Sequence, residues 1–163
     1  MEKRPLWRRW LIDPIVAQLR QGITPERIAL TIALAAVCSC FPVLGATTLL
    51  CGVVAIAFGL NQPVMQLANY LFYPAQIALL LPFYRAGETL FDQPHVPILS
   101  IAALIARFKA GPWQFVVDYG MVAVYGIVVW LLVAPLAALL IYVVLRPLLR
   151  SLARRATRLR PAG

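Results

Sequence analysis

Histidine and acidic residues are what this sequence has least of. Of its 163 residues one is His, six are Asp or Glu and three are Cys. No Asp, Glu, Lys, Arg or His occurs from Ile28 to Tyr84, and none from Tyr119 to Leu145. Acid–base or nucleophilic catalysis needs several such groups converging on one point. The carboxylates Glu26, Glu88, Asp92 and Asp118 sit at separate edges of the two charge-free blocks, and no base lies near Ser39 or the cysteines. A nucleotide-binding glycine loop is also missing. The sequence therefore points away from an enzyme, and no catalytic residue is assigned.

The scarcity of cysteine and histidine excludes other classes. Cys38, Cys40 and Cys51 all fall in the first apolar block, and an odd number there argues against a disulfide framework. Cys38-Ser39-Cys40 has no second pair to complete a metal site, and the single histidine, His95, is far along the chain in the loop-like stretch DQPHVP. No metal or cofactor is expected, and the cysteines read as small packing residues. A cleaved signal is not expected either. The charged lead up to Arg27 is long, and far more apolar sequence follows than a signal core needs.

What is abundant is apolar sequence. Hydrophobic residues make up 62% and charged residues 13%, with mean hydropathy +0.82, whereas soluble domains run at about half apolar and about a quarter charged. The formal net charge is +9. It is concentrated at the ends, with Arg146, Arg150, Arg154, Arg155, Arg158 and Arg160 in a tail that carries no acid. Arginines beside an apolar span mark the cytoplasmic side and touch anionic headgroups. The chain lacks a soluble reading domain, so nucleic acid is not an expected partner.

These features define one membrane domain over residues 1–163. Residues 1–22 carry Leu6, Trp7, Trp10, Leu11, Ile15 and Leu19 at helical spacing, with Arg8, Arg9 and Arg20 largely elsewhere. They read as an amphipathic helix lying on the inner membrane surface. Thr24-Pro25-Glu26 is a helix start, with a capping hydroxyl, a first-turn proline and an acid at the positive end of the dipole. The segment 25–60 is too long for one crossing and is broken at 42–45 by Pro42 and Gly45. Its arms, Ile28–Phe41 and Gly45–Leu60, would be about 21 Å and about 24 Å long as helices, each short of the roughly 30 Å of a bilayer core. A hairpin that enters and leaves by the same side fits those lengths.

Residues 63–84 repeat the device around Pro74, either as one kinked span or as a second short hairpin with its turn there. Residues 85–118 form a polar connection whose stretch 98–110 is amphipathic, 119–145 a transmembrane span bent at Pro135, and 146–163 a basic cytoplasmic tail. The expected fold is thus an all-α integral membrane protein. It combines broken or re-entrant helical hairpins with a long C-terminal transmembrane helix and an N-terminal interfacial helix. Both termini are expected in the cytoplasm.

Several motifs together carry a family resemblance. They are Gly22-x-Thr24-Pro25 with Ile28-Ala29-Leu30, Phe41-Pro42-x-x-Gly45, Asn61-x-Pro63, Asn69 followed by Tyr73-Pro74, and Pro82-Phe83-Tyr84-x-x-Gly87. Over roughly residues 20–92 the sequence resembles the bacterial membrane family called domain of unknown function 2062. Many members have Asn and Pro adjacent in the last broken segment, whereas here Asn69 and Pro74 are separated. The resemblance implies an integral protein of the bacterial inner membrane and brings no activity, substrate or cofactor. Some relatives are fused to glycosyltransferase domains, which implies envelope glycan or lipid metabolism.

Candidate binding residues are the amides Asn61, Gln62, Gln66, Asn69 and Gln76, with Arg85 and Glu88 at one mouth. Such amides in apolar surroundings cost several kcal/mol unless partnered. They either satisfy the backbone opened by the breaks or, with Arg85 or a nearby Arg27, hold an anionic headgroup or phosphate. Two functional readings follow. One is transport or binding of a lipid-linked or small anionic solute. The other is a non-catalytic scaffold for a glycan- or lipid-processing enzyme of envelope biosynthesis. A homo-oligomer would supply the cover that short hairpins need.

Overall fold

The structure is a computed structural model that describes residues 23–97 and 100–158. The expected amphipathic helix at 1–22 and the end of the basic tail lie outside the described residues. Five helices follow in order: α1 (Pro25–Ser39), α2 (Thr47–Ala57), α3 (Gln62–Leu90), α4 (Ile101–Ala110) and α5 (Pro112–Arg158).

The helix starts follow from local chemistry. Thr24 Oγ1 accepts from the Arg27 amide at 3.3 Å, with Pro25 next to it. Asn61 Oδ1 accepts from the Val64 amide at 3.0 Å, with Pro63 in the first turn of α3. Ser100 Oγ caps α4 through the Ala103 amide. Each side chain satisfies a donor that the first helical turn leaves open. Helix α2 ends on Gly59 at φ 58°, with Leu60 N–H bonded to Ala55 O and Gly59 N–H to Ile56 O. That left-handed stop suits a residue without Cβ.

The break expected at Pro42 and Gly45 is present. Helix α1 ends at Ser39, α2 begins at Thr47, and Gly45 takes φ 85° between them. The two arms form a hairpin, because the start of α1 and the end of α2 meet again: Arg27 Nη1 donates to Gly59 O at 3.2 Å.

Of the two alternatives for residues 63–84, the second hairpin is not there. Helix α3 runs unbroken through Pro74 and Pro82 for 29 residues, so Pro74 is not a hairpin turn. The reason is which face each proline occupies. Pro74 and Pro82 are exposed, while Met65, Ala68, Asn69 and Gln76 on the packed side are buried. An interior proline removes one backbone bond and presses its ring on the preceding turn. With the ring on the open side, the packed side continues undisturbed. Pro135 and Pro147 in α5 are exposed in the same way. Pro42, by contrast, is among the most deeply buried side chains.

Helix α1 packs on α2, α3 and α5, and α4 packs on α5. Contacts fix the directions. Arg27 reaches Gly59 just before α3, and Phe41 O reaches Gln76 farther along it, so α1 and α3 run the same way. Glu26 meets Arg150 whereas Val37 O meets Trp130, so α5 runs back. One core joins Ala35 and Cys38 of α1, Cys51 and Ala55 of α2, and Met65 and Ala68 of α3. A second joins Ile28 and Ala29 to Leu149 of α5. Cys38 and Cys51 are therefore core packing residues, and all three cysteines are free.

Two helices, Gln62–Leu90 and Pro112–Arg154, are long and apolar enough to cross a membrane. Their apolar windows are only 22% and 11% buried, which is unlike the core helix of a soluble protein. Large apolar side chains cover their outer faces, among them Leu71, Ile77, Leu132, Leu136 and Leu140.

Candidate functional site

The turn between α1 and α2 exposes backbone at the core of the molecule. Its own bonds are few: Cys40 N–H to Val37 O, Phe41 N–H to Cys38 O, Val43 N–H to Phe41 O and Ala46 N–H to Val43 O. Side chains from two other helices supply the remaining donors. Gln76 Nε2 of α3 donates to Phe41 O at 3.0 Å and lies 3.5 Å from Val43 O. The Tyr84 hydroxyl donates to Pro42 O at 2.8 Å. Trp130 Nε1 of α5 donates to Val37 O at 3.0 Å, and its ring meets Phe41 edge-on at 5.0 Å. Buried carbonyls demand partners of this kind.

Helix α2 is tied to α3 by the same type of contact. Gln62 Nε2 donates to Gly52 O, Gln66 Nε2 to Thr48 O, and Asn69 Nδ2 to Thr48 Oγ1. Residues 62, 66, 69 and 76 recur at helical spacing and form one stripe on α3. The amides Gln66, Asn69 and Gln76 thus come together along the hairpin and serve its fold. Asn61 stands apart at the start of α3, as its cap.

Arg85 and Glu88 belong to a different cluster. They lie about 14–18 Å of helix rise beyond Gln76. Glu88 is fully buried. Its carboxylate accepts from Arg85 Nη1 at 2.7 Å and from the Val96 amide at 2.9 Å, and lies 3.1 Å from His95 Nδ1. This clamps the loop after α3 onto the end of the helix, so His95 is a loop residue with a structural partner. Beside it the helices touch: a Cβ on Gly87 would lie 2.6 Å from the Tyr125 carbonyl carbon.

The opposite end, where the hairpin opens, is arginine-rich. Arg150 bonds the Glu26 carboxylate and Arg146 lies 4.0 Å away. The Arg150 hydrogen bond is the main cause holding the Glu26 carboxyl below its usual range, with a backbone amide adding to it. Next to them is a cavity of about 510 Å³ lined by Ile23, Arg27, Ile28, Thr31, Leu60 and Val64 among others.

From residue 8 to residue 158 the sequence matches domain of unknown function 2062, described as an uncharacterized protein conserved in bacteria. The chain belongs to this family. No curated protein and no solved structure matches it. The family match takes in the hairpin, α3 and α5 together, well beyond the segment 20–92 that carries the motifs.

Sequence reasoning missed Tyr84, His95 and Trp130 as partners. Tyr84 and Trp130 had none beyond carrying a polar atom on an aromatic ring. His95 is separated from Glu88 by a loop, where no periodicity applies.

Proposed function

We propose that this is an integral protein of the bacterial inner membrane which binds or transports a lipid-linked or small anionic solute at its cytoplasmic face. In this reading α3 crosses outward and α5 crosses back. The α1–α2 hairpin re-enters from the cytoplasmic side, and both termini are cytoplasmic. The supporting observation is where the hairpin opens and where it stops. It opens beside Arg27, Arg146 and Arg150, with Glu26 as the one acid nearby among the described residues. It stops against Gln76, at the midpoint of the 29-residue helix α3. A span about 43 Å long is thereby met by a hairpin turn at half depth. Broken backbone at that depth is tolerated where protein covers it, and interrupted segments of this kind accompany solute sites in transporters.

The test is reconstitution into vesicles of phosphatidylethanolamine and phosphatidylglycerol. The protein should accelerate transbilayer movement of a fluorescent phosphatidylglycerol, or uptake of labelled inorganic phosphate, over protein-free vesicles. If neither is accelerated, transport is wrong. The second reading, a non-catalytic scaffold for an envelope enzyme, is favoured by the basic stripe Arg146, Arg150 and Arg154 on α5. It expects co-purification of such an enzyme to be lost when residues 146–163 are deleted.

A further inference from the structure

We propose that the cavity at the mouth of the hairpin is a single binding site for a phosphate-bearing headgroup, with Arg27 as its cation and the adjoining apolar wall as the seat of an acyl chain. The inference rests on reading α1–α2 as an anion-binding membrane hairpin, and it names the ligand class and the place.

Three observations carry it. The first is size: about 510 Å³ falls within the roughly 300–1,000 Å³ of small-molecule sites. The second is an uncompensated charge. Arg27 Nη1 donates to Gly59 O, which leaves further N–H groups of the guanidinium for a ligand. No carboxylate pairs with Arg27 among the described residues. Glu26, its neighbour in sequence, is turned to α5 and engaged by Arg150. No acidic residue is among the described residues that line the cavity. A planar guanidinium with free donors favours a phosphate oxygen pair.

The third is that the lining is amphiphilic. The other polar side chains on the wall are already engaged: Thr24 accepts from the Arg27 amide, Thr31 Oγ1 donates to Arg27 O, and Asn61 caps α3. The rest is Ile23, Ile28, Leu60 and Val64. Among the described residues Arg27 is thus the wall's one charged side chain, set against an apolar surface, which matches a headgroup joined to a chain better than a fully hydrated ion.

A phosphate group could come from a membrane lipid or from a soluble anion, and titration of the full-length protein in detergent micelles separates them. The probes are dioctanoyl phosphatidylglycerol, inorganic phosphate and the uncharged dioctanoylglycerol, followed by calorimetry. Wild type should bind the phospholipid saturably. Arg27→Gln should weaken binding at least tenfold, Arg27→Lys should retain part of it, and Arg107→Gln on α4 should leave it unchanged. Dioctanoylglycerol should not bind saturably. Inorganic phosphate binding as tightly as the lipid would support the cation site and overturn the acyl seat.

Should Arg27→Gln fail to fold, Val64→Trp fills the apolar wall with Arg27 intact and should itself reduce lipid binding tenfold or more. Undiminished binding by the folded variants, or no saturable binding by wild type, overturns the site. Loss of lipid movement in vesicles with lipid binding intact would sink transport and leave the site standing. Movement and lipid binding that both persist in Arg27→Gln would overturn the site and leave transport standing.

Discussion

Gln76 Nε2 sits 3.0 Å from the carbonyl oxygen of Phe41, so the middle of one long helix supplies a hydrogen-bond donor to the turn of a hairpin 35 residues earlier in the chain. The amide is almost completely buried. Gln76→Leu removes one of the two donors to this carbonyl and leaves it the Val43 N–H, a loss of about 0.5–1.5 kcal/mol. The expected result is a lower melting temperature in detergent. Gln93→Leu, at an exposed loop position, should leave it unchanged.

The glycines of this fold separate two kinds of strain. Gly87→Ala puts a methyl against the Tyr125 backbone at 2.6 Å, where no flexible side chain can yield. It should destabilise by about 1–3 kcal/mol or more through separation of α3 and α5. Gly45→Ala meets nothing within 4 Å but must hold φ 85°, which costs about 1–2 kcal/mol. Gly45→Asn should therefore recover part of the Gly45→Ala loss, and Gly87→Asn should recover none. Thermal unfolding of the four variants checks the distinction.

Glu26 gives the stability a pH dependence of known sign. Its carboxyl is held low by Arg150, so the folded state binds this proton less readily than the unfolded chain. The contribution is complete above the ordinary glutamate value of about 4.3. It is lost as pH falls through the lowered folded value. The melting-temperature difference between wild type and Glu26→Gln should be constant near neutral pH and shrink below about pH 4.3. A difference that grew on acidification would contradict the pairing.

The proposed orientation assigns opposite sides to two connections. An alkaline phosphatase fusion after Gly111 should be active, since that loop faces outward. A fusion after Arg158 should be inactive. Activity at both positions, or at neither, would exclude the two-crossing arrangement.

Pro42 and Pro74 show how far the sequence could be read. Both follow an aromatic residue in an uncharged block, and both were expected to mark breaks. What distinguishes them is Gly45, which supplies the left-handed backbone that reverses the chain. No glycine lies between Leu60 and Gly87, so nothing near Pro74 could make such a turn. That contrast was present in the sequence. The amide stripe was legible from spacing. Its role was not, because whether Asn69 and Gln76 face a ligand or an open carbonyl depends on which helix lies opposite. The Glu88 clamp was hidden for a similar reason: it forms only because the loop carrying His95 folds back on the helix end.

The tied turn also has a consequence for biosynthesis. The carbonyls of Val37, Phe41 and Pro42 emerge from the ribosome before any of their side-chain donors. Gln76 follows its acceptor by 35 residues, Tyr84 by 42 and Trp130 by 93. Val37 O and Phe41 O keep the backbone bonds from Cys40 and Val43 meanwhile, whereas Pro42 O has no donor among the described residues until Tyr84 arrives. The cover over this early turn is thus complete only once Trp130 of α5 has been made, 93 residues after Val37.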